Sequence, residues 1–214
     1  MQKEDGSMKS WITAAAFGVG LLMVNPAQAI VLLDDNFDGE TATVLNYNAF
    51  ANWDVVNGTV DTIGGSFGGV ACAGGVGVCI DMDGSTSDAG DLVSKAMFNL
   101  AAGETITLSF DYSGNQRNSI PDTMTVSLGS FFSETFSNVP GFQGFQTVTR
   151  SFGSGAGGNA NLVFSHEGGD NVGIILDNVK LESNSDAVIP APAPVVLMAS
   201  AVGLAIWRAR RARK

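Results

Sequence analysis

The sequence predicts an all-β fold, an antiparallel β-sandwich of the jelly-roll type, and three observations carry that prediction. Apolar and polar residues alternate over short runs, glycine- or proline-bearing turns separate those runs, and residues 30–187 show no helical period of useful length. Eight to ten short strands at this spacing build two packed sheets rather than one.

The strongest strand is Glu104–Tyr112. Here Ile106, Leu108, Phe110 and Tyr112 fall on one face, with Thr105, Thr107, Ser109 and Asp111 on the other. That is the pattern of an antiparallel strand with one face in a core and one in water. Asp122–Leu128 repeats it with Met124, Val126 and Leu128. Taken in order, the remaining strands are Ile30–Phe37, Trp53–Val60, Val76–Met82, Leu92–Phe98, Ser130–Phe136, Phe145–Phe152, Asn161–Ser165 and Gly173–Leu181. Ala102-Gly103, Pro121-Asp122, Pro140-Gly141, the tract from Gly153 to Gly158, and Gly168-Gly169 mark the turns.

The chain has 214 residues, with 11 Lys and Arg against 21 Asp and Glu, for a net charge of −10. Residues 30–187 hold four bases, Lys95, Arg117, Arg150 and Lys180, against 19 acids, while Arg208 to Lys214 hold five bases. An acidic domain of this kind is not a nucleic-acid binder, because phosphate neutralisation needs clustered Lys and Arg.

Residues 1–29 read as a secretory signal helix. Lys3 and Lys9 give a basic start, Trp11 to Val24 an apolar stretch, and Ala27-Gln28-Ala29 a small-residue cleavage site after Pro26. Cleavage after Ala29 leaves Ile30 first, with Met1 or Met8 as initiator. Residues 30–185 form the ectodomain. Residues 186–194 form an extended linker in which Pro190, Pro192 and Pro194 alternate with Ala. Residues 195–214 carry a short transmembrane helix, Val195 to Trp207, and then Arg208, Arg210, Arg211, Arg213 and Lys214. Thirteen helical residues reach about 20 Å against a hydrocarbon core of about 30 Å, so the span needs the linker, snorkelling or local thinning. The basic cluster stays cytoplasmic and holds the ectodomain outside the inner membrane.

Proline-rich motif, short apolar helix and terminal arginines, in that order, resemble the PEP-CTERM sorting tail of Gram-negative bacteria. Ile189-Pro190-Ala191-Pro192-Ala193 stands where that family usually has Val-Pro-Glu-Pro-Ala, so the Glu is missing here. The resemblance implies recognition by an exosortase-type membrane enzyme and release to the cell surface, biofilm or extracellular matrix, in cells that make exopolysaccharide. Three inner segments, Val78 to Ser85, Leu108 to Arg117 and Asp170 to Val179, are similar to the ectodomain of such proteins. Through it they are similar to the jelly rolls of carbohydrate-binding modules, which implies a fold more than a ligand.

Enzymatic readings have little to stand on. His166 is the sole histidine, placed by the sequence in a loop with Glu167 and Asp170, and no nucleophile-elbow motif accompanies it. Many acid pairs exist for glycoside hydrolysis, and nothing marks any two. The expectation is a non-enzymatic exported protein that binds exopolysaccharide. A structural or adhesive surface protein without a small ligand, or a polysaccharide hydrolase, stands as the alternative.

Cys72 and Cys79, in Cys-Ala-Gly-Gly-Val-Gly-Val-Cys, predict a local disulfide in an exported chain. Calcium is a candidate ligand because hard oxygens abound. Jelly rolls of the carbohydrate-binding type tie first to last strand with one Ca²⁺, and Asp38, Glu40 and Asp177 stand near those places. Asp81-Met82-Asp83-Gly84-Ser85 resembles half of an EF-type loop, with Leu92 where the bidentate Glu belongs. The competing reading is that acids solvate turns and keep the protein soluble. For a glycan, Trp53 is the one tryptophan of the ectodomain, and Gln116, Arg117 and Asn118 offer hydrogen bonds to sugar hydroxyls. The same three side chains suit neighbouring backbone or Asp111 equally well.

Overall fold

A computed structural model describes residues 29–86 and 88–184. The expected signal helix, with Ala27, and the linker, transmembrane helix and arginine cluster lie outside the described residues. Ala29 opens the first strand, and among the described residues no helix is long and apolar enough to cross a membrane.

Thirteen strands follow in order: β1 Ala29–Asp35, β2 Trp53–Val56, β3 Asp61–Gly64, β4 Val78–Asp81, β5 Asp91–Ser94, β6 Phe98–Leu100 and β7 Thr105–Ser113 come first. β8 Asp122–Leu128, β9 Phe132–Val139, β10 Gln146–Gly153, β11 Gly158–Ala160, β12 Leu162–Glu167 and β13 Ile175–Asn184 complete the set. One antiparallel sheet runs β10-β7-β13-β4-β3, with β1 also on β13; the other runs β2-β5-β12-β8-β9. A two-stranded ribbon, β6 with β11, stands apart.

The two sheets close on one core, because the apolar face of each strand has nowhere else to go. Ile106, Leu108 and Phe110 of β7 meet Met124, Val126 and Leu128 of β8 and Leu162 and Phe164 of β12, all buried. Aromatic rings tie the layers at their centre: Phe110 lies edge-on to Phe164 at 5.2 Å and to Phe136 at 5.7 Å, and Trp53 meets Phe164 at 5.8 Å.

Strand β13 organises the larger sheet. One edge pairs with β7 along its length, while the other is shared, with Ile175 and Leu176 against β4 and Val179 to Asn184 against β1. A bulge at Asp177 and Asn178 separates the two halves, and Asn178 takes φ 51° there. On the outer face of β3, β4 and β13 a smaller apolar cluster forms from Ile63, Val70, Cys72, Cys79 and Ile175. The Cys72–Cys79 disulfide sits inside it, with Cα atoms 5.4 Å apart, as the sequence predicts. This cover explains why all four residues of β4 are buried, although a half-exposed strand would alternate.

Most strand bounds shift by a few residues and β11 is new, and three of the changes alter the reading. Trp53–Val60 stops at Val56, because Asn57 and Gly58 turn the chain with positive φ and Asp61–Gly64 begins a separate strand. Leu92–Phe98 divides into β5 and β6. The segment Asn161–Ser165 extends to Glu167, so His166 is a strand residue whose side chain faces inward with Leu162 and Phe164, not a loop residue.

Candidate functional site

The predicted calcium ligands Asp38, Glu40 and Asp177 do not gather into one ligand set. Glu40 faces the 46–51 segment, accepting the Tyr47 hydroxyl at 2.9 Å and the Ala51 N–H at 2.8 Å. Asp38 and Asp177 brace the two ends of the disulfide loop: Asp38 Oδ1 accepts from Val78 N at 2.9 Å, and Asp177 Oδ2 from Ala73 N at 3.1 Å. Among the described residues, the one set of three ligand atoms within 4.8 Å of each other is Cys72, Cys79 and Asp177, and its sulfurs are bonded to one another. A carboxylate that accepts backbone N–H bonds in a turn reads in sequence like a metal ligand, and that is the source of the difference.

Trp53 is not a sugar platform. The ring is fully buried between Phe37 and Phe164, and its indole N–H donates to Asp35 Oδ2 at 2.8 Å. Gln116 is also committed internally. Its Oε1 accepts from Ala71 N at 3.0 Å, and its Nε2 donates to Ala71 O and Ser113 Oγ at 2.9 Å each. Asn118 Oδ1 accepts from Ile120 N at 2.8 Å and from Asn115 Nδ2 at 3.1 Å. Of these four predicted ligand residues, Arg117 is the one with a buried polar atom that has no partner, its Nε.

The three similar segments singled out in the sequence do converge, and Asp81 is where they meet. Its Oδ1 accepts from Asp83 N at 3.2 Å and from Gly173 N at 2.7 Å, and Arg117 Nη1 stands 3.7 Å from its Oδ2. Gly173 is required by this contact, since a Cβ there would lie 2.6 Å from Asp83 N and 2.8 Å from Asp83 Cβ. Burial pushes Asp81 up to about 8, against the lowering by these N–H donors and by Arg117.

Behind Asp81 the core ends in polar side chains. Asp122 continues the inward face of β8 beyond Met124, and His166 continues that of β12 beyond Phe164. His166 Nε2 accepts from Ile174 N at 3.2 Å, so the neutral ring carries its proton on Nδ1, and Asp122 Oδ1 lies 3.9 Å from Nε2. Burial lowers His166 to about 4, with Asp170 acting the other way. Burial raises Asp122 to about 6, opposed by the Asn115 hydrogen bond and aided by Asp170 and Asp83. Asp83 is raised as well, first by burial. The Oδ1 of Asp83, the Oδ2 of Asp81 and the Nδ1 of His166 are buried without a hydrogen-bond partner. Asn115 scaffolds the rim, donating to Asp122 Oδ2 at 2.9 Å and accepting from Arg117 N and Asn118 N.

A second feature opens at the disulfide end. A cleft of about 280 Å³ is lined by Gly69, Ala71, Cys72, Gln116 and the stretch from Phe142 to Phe145. Phe142 is 68% exposed, Phe145 packs half-buried on the disulfide cluster, and Gln143 Nε2 is buried without a partner. Sequence reasoning missed these residues because the segment after Pro140-Gly141 reads as a plain turn.

The chain matches no protein-family model and no curated protein sequence. Solved structures similar to it include the CBM22-1–GH10 modules of the Clostridium thermocellum endo-1,4-β-D-xylanase 10B complexed with xylohexaose, at 16% identity and TM-score 0.48. That similarity covers 76% of this chain and 30% of the xylanase chain. The K1 cleaved adhesin domain of Lys-gingipain from Porphyromonas gingivalis is similar at 15% identity and TM-score 0.47, over 74% of this chain and 99% of that one. The C-terminal CBM6 of LamC, a laminarinase from Zobellia galactanivorans, is similar at 10% identity and TM-score 0.38, over 61% and 92%.

Proposed function

We propose that this is a non-enzymatic, exported polysaccharide-binding protein, carried to the envelope or matrix by its C-terminal PEP-CTERM-like signal, with an exosortase-type enzyme as the partner that reads it. The observation that carries the binding reading is the cleft beside the disulfide. A sugar presents an apolar ring face and a fringe of hydroxyls, so it suits an exposed aromatic ring set beside unpaired amide donors. Phe142 supplies the ring and Gln143 the donor, while the disulfide and the Gln116–Ala71 hydrogen bonds hold the opposite wall rigid. Preorganisation of that wall lowers the ordering cost of binding. The sorting reading rests on the order of proline motif, short apolar helix and arginine cluster in residues 189–213.

The test is retention of the purified protein on beads carrying the host's own exopolysaccharide. Wild type is retained, and Phe142→Ala together with Gln143→Ala weakens retention roughly tenfold or more. Absence of retention by the wild type overturns the binding reading and leaves a structural or adhesive surface protein. Export is tested separately, by immunoblot of membrane and culture fractions.

A further inference from the structure

We propose that the cleft beside the disulfide selects an uncharged, acetylated sugar residue, taking the acetyl carbonyl and methyl group rather than a ring hydroxyl. This rests on the polysaccharide-binding reading of that cleft and names the class of sugar it takes.

Charge narrows the class first. Among the described residues, the side chains that line this cleft of about 280 Å³ include none that ionises. Residues 30–187 hold 19 acids against four bases. Arg117 follows Gln116 in the chain, but it stands beside Gly68 and faces Asp81 and does not line the cleft. A uronate or sulfated sugar would enter this field without a counter-charge.

Hydrogen bonding narrows it further. The polar side chains that line the cleft are Gln116 and Gln143. Gln116 spends both ends of its amide on the Ala71 peptide group and Ser113. Gln143 is left, with its Nε2 buried and without a partner. The rest of the wall is apolar: the methyl group of Ala71, the Cys72 end of the disulfide, and the rings of Phe142 and Phe145. A buried donor without a partner is costly, and an acceptor that reaches it recovers a hydrogen bond without giving up one to water. An acetyl group brings one carbonyl acceptor and a methyl group for the apolar wall. A hydroxyl brings a donor as well. One hydroxyl cannot accept from Nε2 and donate to Oε1 of the same amide, so its hydrogen would be left against methyl, sulfur and phenyl. Acetyl groups on nitrogen and on oxygen share this chemistry.

The test is calorimetric titration of the full-length protein with two pairs of probes that differ in acetyl. Tetra-N-acetylchitotetraose against cellotetraose tests acetyl on nitrogen. Acetylated xylan oligosaccharides, before and after mild alkali, test acetyl on oxygen. Wild type binds the acetylated member of at least one pair about tenfold or more tighter than its partner, and does not bind alginate oligosaccharides. Gln143→Met is close in shape and has no donor. It loses the preference yet melts no lower than wild type, because it removes an unpaired buried amide. Should it fail to fold, Gln143→Glu sets a carboxylate against the carbonyl and loses the preference too. Equal affinity within both pairs overturns the proposal. So does alginate bound as tightly as the acetylated probes, or a preference that survives substitution of Gln143. Retention on the host's exopolysaccharide with no binding of any probe also overturns it and leaves the binding reading standing, whereas loss of that retention as well overturns both.

Discussion

Arg150 holds Glu134 through two parallel N–H···O bonds of 2.7 Å, from Nε to Oε2 and from Nη2 to Oε1. Arg150 lies on β10, at the edge of one sheet, and Glu134 on β9, at the edge of the other, so the pair closes the sandwich along that side. Phe132 and Phe152 stack beside it, 4.8 Å apart and 11° from parallel. The planar fork makes this pair better than most surface pairs, but both side chains see water. A double-mutant cycle with Arg150→Met and Glu134→Gln is expected to give a coupling of about 0.5–1 kcal/mol, shrinking in high salt. Denaturation with urea at two salt concentrations measures it.

Reduction of Cys72–Cys79 is expected to cost about 2–3 kcal/mol, the chain-entropy value for so short a loop. The loop is also braced by Asp38 and Asp177 and packed on Ile63 and Ile175. The Cys72→Ser, Cys79→Ser double variant should therefore fold with a lower midpoint rather than fail to fold. Denaturant unfolding with and without reductant measures this, and only the wild type should respond to reductant.

Trp53 reports on the core and not on ligand. In a Trp11→Phe, Trp207→Phe background its emission is expected to be blue-shifted, poorly quenched by acrylamide, and unchanged by saturating polysaccharide. Asp35→Ala leaves the buried indole N–H without its acceptor and is expected to destabilise by about 1–3 kcal/mol. Fluorescence-detected melts give both results.

What was legible in the sequence follows from which interactions are local. Strands β7 and β8 show their period because one face meets core and the other meets water or polar neighbours, and the pattern needs nothing from elsewhere in the chain. Strands β3 and β11 have no such signature: Asp61-Thr62-Ile63-Gly64 lies under other segments, and Gly158–Ala160 sits in a glycine tract. His166 was misplaced because Glu167-Gly168-Gly169 signals a turn, while its inward direction is set by pairing with Met124 across β8. The disulfide was legible because two cysteines seven positions apart admit one local pairing. The roles of the acids were not. Whether Asp38 faces an N–H or an ion depends on Val78, 40 residues away.

Asp177 shares the sign of its pH dependence with Asp81, Asp83 and Asp122, whose carboxyls burial also raises. Burial, helped by Asp38 and Asp111, raises its carboxyl from 3.8 to about 6, against the lowering by the N–H groups of Ala73 and Asn178. Between about pH 4 and 6 the folded protein keeps this proton and the unfolded chain has lost it, so stability falls as pH rises through that window. His166 acts in the opposite sense. Its folded value of about 4 lies below the ordinary 6.5, so its contribution rises with pH between those values and masks part of the loss. Replacing Asp177 by Asn keeps an oxygen for Ala73 N and removes the titration. The difference in unfolding free energy between Asp177→Asn and wild type is therefore expected to grow by on the order of 2 kcal/mol from pH 4 to pH 6.5 in favour of the variant, then level off. Urea unfolding in EDTA at half-unit pH steps measures it, and a difference that stays flat across that window would show that Asp177 titrates alike in the folded and unfolded chains.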